Sequence, residues 1–171
     1  MNIEMINDLV KESLNPYVVI RLVVNHTKEE MEQLEQKLVD LVGAEELEEI
    51  YKPAIIVETS DTEGYIFAPK TVIPKFANLL DICGANYMLE DATDNIWEMN
   101  DISFITEYGE VDLAPELTEQ FFPGLVSENE KINNYLKTIF SSKYSVDDVL
   151  DKISRKGIES LNIINKYILE Q

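Results

Sequence analysis

Residues 17–24 read YVVIRLVV. Seven of the eight are apolar and five are β-branched. Such a run, too short to span a membrane, reads as a strand buried on both faces and therefore central in a sheet. Arg21 is the exception, and a charge in that position sits at a strand end or reaches a carboxylate.

Working outward, residues 3–14 carry Ile3, Ile6, Leu9, Val10 and Leu14 at helical spacing, and Asn15-Pro16 ends that segment. On the other side, Thr27 and Glu30 form a capping box opening a helix over 27–42. Met31, Leu34, Leu38 and Leu41 make its apolar stripe, with Val42 beside it and Gly43 at the C′ position. Residues 45–51 add a helical turn before Pro53. Two strands follow, 54–59 (AIIVET) and 65–68 (YIFA), joined by SDTEG, which has hairpin-loop chemistry.

A second helix is predicted over 71–83, with Pro74 tolerated in its first turn. Val72, Ile73, Phe76, Leu79, Leu80 and Cys83 form its buried side, and Gly84 closes it. Residues 86–90 (NYMLE) read as a strand. The order β-α-β-β-α-β over residues 17–90 is the split βαβ pattern of ferredoxin-like domains, and the expected class is α+β, an antiparallel sheet with helices on one face. Beyond it, DATDN and IWEM read as a further hairpin and 102–108 as one more strand.

After Pro115 the pattern is helical. Residues 115–122 read as a short helix anchored by Phe121 and Phe122. Ser127 and Glu130 suggest a second capping box, before a stripe of Ile132, Tyr135, Leu136, Ile139 and Phe140. Ser145 caps a helix bearing Val146, Val149, Leu150 and Ile153, closed by Gly157, and a last helix carries Leu161, Ile164, Ile168 and Leu169. The expected division is an α/β sandwich over 1–112 and a C-terminal helical segment over 113–171.

A chain of 171 residues buries roughly 70% of its unfolded surface and needs no staple. One Cys excludes an internal disulfide, and one His with one Cys excludes a His/Cys zinc cage. A net charge of −19 argues against neutralising phosphates on nucleic acid or docking on an anionic membrane. No apolar run approaches the 18 or so residues of a membrane helix. Residues 1–15 hold early acids and no apolar signal core, so the expected compartment is cytoplasmic.

The charge is unevenly placed. Residues 1–28 are net zero, 29–75 are net −8, 76–130 hold thirteen acids and no base, and 131–171 are net +2. No acid between Lys75 and Lys131 has a sequence-local basic partner. These acids read either as solvated loops that keep the protein soluble or as a surface that meets a basic partner. The second reading marks Glu90, Asp91, Asp94, Trp97, Glu98, Asp101, Glu107, Tyr108, Glu110 and Asp112 as the candidate interaction surface. Trp97, Phe104, Tyr108, Phe121 and Phe122 lie in the same stretch, either as interface anchors or as core.

Catalytic constellations are sparse. His26 stands beside a helix start and reads as a local hydrogen-bonding group, and Cys83 reads as a small buried hydrophobe. Neither G-x-x-x-x-G-K-S/T nor G-x-G-x-x-G occurs. Residues 91–95 superficially match a calcium loop but lack its glycine, and Ile102 stands where the twelfth-position Glu belongs. Glu90, Asp94, Glu98 and Asp101 are the acids available for Mg²⁺ or paired-acid chemistry, and an ordinary polar hairpin accounts for them as well. No cofactor is expected.

Residues 146–161, VDDVLDKISRKGIESL, match a recurring pattern at Val146, Asp147, Leu150, Asp151, Lys152, Ile153, Ser154, Gly157, Ser160 and Leu161. The segment resembles a short bacterial C-terminal tail found on otherwise unrelated proteins, including some rhomboid-like membrane proteins. The resemblance implies a small helix–turn–helix unit for protein contacts and no chemistry; protease activity does not carry over, because the membrane helices are lacking. The tail pattern continues with Thr and acids, where this chain has Asn162-Ile163-Ile164-Asn165.

The sequence thus favours a non-enzymatic acidic interaction or regulatory module whose partner is a protein with a basic surface or other copies of itself. A subunit of a larger assembly such as a virus particle, a DNA mimic, and a carboxylate- or metal-dependent enzyme are the alternatives.

Overall fold

Strand β1 (Tyr17–Val24) is paired on both edges, antiparallel to β3 (Glu63–Pro69) on one side and to β4 (Tyr87–Asp91) on the other. Strand β2 (Ile55–Ser60) adds to the outer edge of β3, giving the order β2-β3-β1-β4 with every neighbour antiparallel. The structure, a computed structural model, describes residues 17–107 and 125–171. The expected helices at 3–14 and 115–122 lie outside those residues, as do Phe121 and Phe122.

The chain divides into two compact units, residues 1–92 and 93–171. The division falls after β4. The class is α+β, a four-stranded antiparallel sheet with helices, followed by C-terminal helices.

In the first unit β1 leads into α1 (Lys28–Val42), α2 (Ala44–Tyr51), the β2–β3 hairpin, a 3₁₀ turn (Lys70–Val72), α3 (Ile73–Cys83) and β4. Period-2 alternation sends Val18 and Ile20 of β1, Ile66 and Ala68 of β3 and Leu89 of β4 onto the helix-bearing face, against Val72, Ile73, Phe76 and Ala77. On the opposite face Val19, Ile55, Val57, Tyr65 and Phe67 are also buried. That two-sided burial is what the nearly continuous apolar run of β1 predicts. Arg21, on that opposite face, is matched across both neighbouring strands. Its Nε donates to Glu63 Oε1 at 2.8 Å and its Nη1 to Glu90 Oε2 at 2.9 Å.

Helix α1 begins as the sequence predicts. Thr27 Oγ1 accepts from the Glu30 amide, and Glu30 Oε2 accepts from the Thr27 amide at 2.8 Å. Its C-terminal half pairs with α3, where Leu38, Leu79 and Cys83 form a small core with Leu34, Val42, Leu47 and Ile50. The helical phase selects Val42 over Leu41, which is exposed. Gly84 ends α3 in the left-handed conformation, φ 79° and ψ 27°, a geometry that favours glycine.

In the second unit two expected strands are helices. Residues 93–98 form α4 (Thr93–Glu98) and residues 103–106 form α5 (Ser103–Thr106). The buried set explains this: Thr93, Ile96 and Trp97, then Ile102, Ile105 and Thr106, recur at three and four, with Phe104 exposed between them. Helix α6 (Leu125–Lys143) is already running two residues before Ser127, so the Ser127–Glu130 box is not its start. Its stripe Ile132, Tyr135, Leu136, Ile139 and Phe140 is buried as expected. Ser145 caps α7 (Val146–Lys156) in a reciprocal box with Asp148. A 3₁₀ turn (Ile158–Ser160) leads to α8 (Ile163–Leu169), whose Leu169 is exposed.

Gly64, buried in β3, permits the close β2–β3 approach. A Cβ there would lie 2.9 Å from the Val57 carbonyl oxygen, a backbone atom held in the sheet. Gly64→Ala is expected to lower unfolding free energy by about 2 kcal/mol. Urea denaturation of the full chain checks this, with the shift appearing in the midpoint and an unchanged slope.

Candidate functional site

The expected acidic surface is distributed over both units. Glu90 and Asp91 stand on β4 of the first, and Glu90 is half-buried against Arg21. Asp94, Trp97 and Glu98 belong to α4 of the second, Asp101 precedes α5 and Glu107 follows it. Tyr108, Glu110 and Asp112 lie outside the described residues.

On α4 the acids find bases that are distant in sequence. Asp94 Oδ1 accepts from Lys143 Nζ at 2.7 Å and from the Tyr144 hydroxyl. Glu98 is flanked by Lys156 Nζ at 2.5 Å and Arg155 Nη2 at 3.3 Å. Hydrogen bonds from Lys143 and then Tyr144 hold the Asp94 carboxyl below its usual range, and Lys156 and Arg155 do the same for Glu98. Asp101 is spent locally, accepting from the Ser103 amide at 2.8 Å. Trp97 is core: its ring stacks on Tyr144 with centroids 3.8 Å apart, and Phe140 stacks beyond it.

Beneath Trp97 lies a polar cluster that the sequence reading missed. Lys152 is fully buried, its Nζ donating to the Trp97 carbonyl and to Asn165 Oδ1 at 2.8 Å. Burial pushes its ammonium below the ordinary lysine value. Asn162 Nδ2 donates to the carbonyls of Ile96 and Met99, so the open C-terminal end of α4 is satisfied by side chains from 55 and more residues away. Asn162 and Asn165 also form the capping box of α8. Sequence offered one signal, the paired Asn at N-cap and N3 spacing.

A cleft of about 320 Å³ beside these residues is lined by Asp94, Trp97, Glu98, Tyr144, Asp148, Asp151 and Arg155. Three of its four carboxylates are already engaged, Asp148 by the Ser145 cap. No group of three metal-ligating side chains occurs among the described residues.

The first unit holds a different kind of site. Helix α1 meets α3 through its C-terminal half, so its N-terminal half stands over the β2–β3 hairpin without closing on it. Three hydrogen bonds anchor the connection from β1 to α1. The Val24 amide donates to the Thr62 carbonyl at 2.8 Å, the Asn25 amide to the Asn86 carbonyl at 2.9 Å, and the Asn86 amide to His26 Nε2 at 2.6 Å. The result is a groove of about 300 Å³. Leu22, Val24, Met31 and Ile56 supply its apolar lining, and Lys28, Glu32, Glu35, Glu58, Asp61 and Glu63 its charged one. Glu63 is held by Arg21, which keeps its carboxyl below the usual range. Among the described residues Glu32, Glu35, Glu58 and Asp61 have no ion pair with Lys or Arg. His26 is the local hydrogen-bonding group expected of it, and Cys83 is buried.

No protein-family model, curated protein or solved structure matches the chain.

Two outcomes test the α4 assignments. Lys152→Met keeps the volume but leaves the Trp97 carbonyl without its side-chain donor and Asn165 Oδ1 with the Asn162 amide alone, and is expected to cost about 2 kcal/mol in urea denaturation. Glu98 has a lowered carboxyl value in the folded chain, so its pairing stabilises at neutral pH and is lost as pH falls through that value. Glu98→Gln should therefore flatten the fall of Tm as pH drops below the ordinary glutamate range, while lowering Tm slightly at pH 7.

Proposed function

We propose that this chain is a non-enzymatic acidic module that binds a protein partner through that partner's basic surface. The observation that carries the reading is the contrast between α4 and the pair of helices α1 and α2. On α4, Asp94 and Glu98 are matched by the chain's own bases. Over α1 and α2, Glu29, Glu32, Glu35, Asp40, Glu45, Glu46, Glu48 and Glu49 are exposed, and none is paired with Lys or Arg among the described residues. Lys37, within that stretch, is directed to the Cys83 carbonyl instead. Exposed like charges repel one another, and a cationic partner relieves that repulsion and is steered by it. We therefore put the contact on α1, α2 and the β2–β3 hairpin rather than on residues 90–112.

Two finer assignments go with this reading. The first unit is taken as ferredoxin-like, supported by the split βαβ connectivity in which β1 and β2 run the same way on either side of β3. Residues 146–161 are taken as a tail unit of the helix–turn–helix type. Its support is chemical: Asn162 and Asn165 cap α8 as Thr and an acid would.

Affinity capture with the full chain as bait, followed by mass spectrometry at about 0.05 M and 0.5 M salt, tests the proposal. Captured proteins should be net basic, elute at high salt, and be lost when Glu32, Glu35, Glu45 and Glu46 are all changed to Lys. A captured set that is insensitive to both salt and charge reversal overturns it.

A further inference from the structure

We propose that the groove between α1 and the β2–β3 hairpin is a docking site for a basic segment of a protein partner, an aliphatic anchor flanked by Lys or Arg. This rests on the acidic-module reading and goes beyond it by naming where the partner enters and what it must present. Leu22 and Ile56 face the helix side of the sheet, in register with residues that α3 covers elsewhere, yet both stay half-buried because α1 stands off from them. Met31 completes the floor. An apolar floor left open in this way gains from an occupant with an apolar side chain.

The walls decide the charge of that occupant. Glu32 and Glu35 stand on α1, Glu58 and Asp61 on the facing hairpin, and Lys28 is the one cation in the lining. An anionic or neutral ligand would desolvate these carboxylates without pairing them, which costs more than it returns. A Lys or Arg side chain suits both surfaces, laying its methylene stem on the floor and its cationic head among the carboxylates. The volume of about 300 Å³ is that of an aliphatic anchor and its neighbours rather than of a large cofactor.

The test uses the full chain with its methyl groups isotopically labelled and two synthetic peptides of equal charge, Lys-Lys-Leu-Leu-Lys-Lys and Lys-Lys-Gly-Gly-Lys-Lys. The leucine peptide should bind about tenfold more tightly than the glycine peptide and shift the methyl signals of Leu22, Met31 and Ile56. Glu32→Lys with Glu35→Lys should weaken it by about tenfold or more, while the equal charge change Glu45→Lys with Glu46→Lys on α2 should weaken it less than about twofold. Equal binding of both peptides, with shifts away from the floor or equal losses in both variants, overturns the groove and leaves the acidic-module reading standing. Binding of neither peptide at low salt overturns both.

Discussion

A strand with apolar side chains on both faces must be covered twice and paired twice, and β1 imposes that condition on the first unit. Its edges take β3 and β4, and residues on both sides of it are buried. The condition also dictates where charge is admitted. Arg21 lies within β1, and a guanidinium there is tolerable only when its donors are matched. Glu90 sits opposite it on β4 and Glu63 lies diagonally on β3, so the planar fork spans three strands. With one face of the sheet reserved for the helices, α3 covers its middle. The groove lies at the edge of that face, between the N-terminal half of α1 and the hairpin.

Much of this was legible along the chain. β-branched runs, capping boxes and glycine stops are short-range signals, and they placed β1, the hairpin, α1, α3, α7 and α8 within a residue or two. Residues 93–106 were misread because short apolar segments fit both periods. Ile96-Trp97 and Ile102 through Ile105 contain too few turns to separate an alternation of two from one of three and four. Only the long-range packing of α4 and α5 against α6 decides the matter.

The charge pairing was illegible for a different reason. Asp94 meets Lys143 across 49 residues and Glu98 meets Lys156 across 58, so a stretch without local bases is not a stretch without bases. Lys152 carries the same lesson inward. A lysine with Asp151 beside it and Arg155 one helical turn on reads as surface, and its burial follows from α4 ending where its carbonyls need donors. The groove left a fainter trace, since its lining comes from three separate segments, none unusual by itself.

Helix electrostatics separate charges that serve the fold from charges that do not. An α-helix favours acids in its first turn and bases in its last. Helix α7 obeys, with Asp147 and Asp148 at its start and Arg155 and Lys156 at its end, and the bases there also hold Glu98. Helices α1 and α2 obey only at their starts. Their last turns hold no base, and they end instead with Asp40 and with Glu48 and Glu49, charges set against the dipole. Where local choices agree with stability, as the charges of α7 do, they need no other cause; the acids that end α1 and α2 work against it. On the helix-bearing face of the sheet Leu22 and Ile56 stay half-buried, and Glu32 and Glu35 of α1 stand beside them.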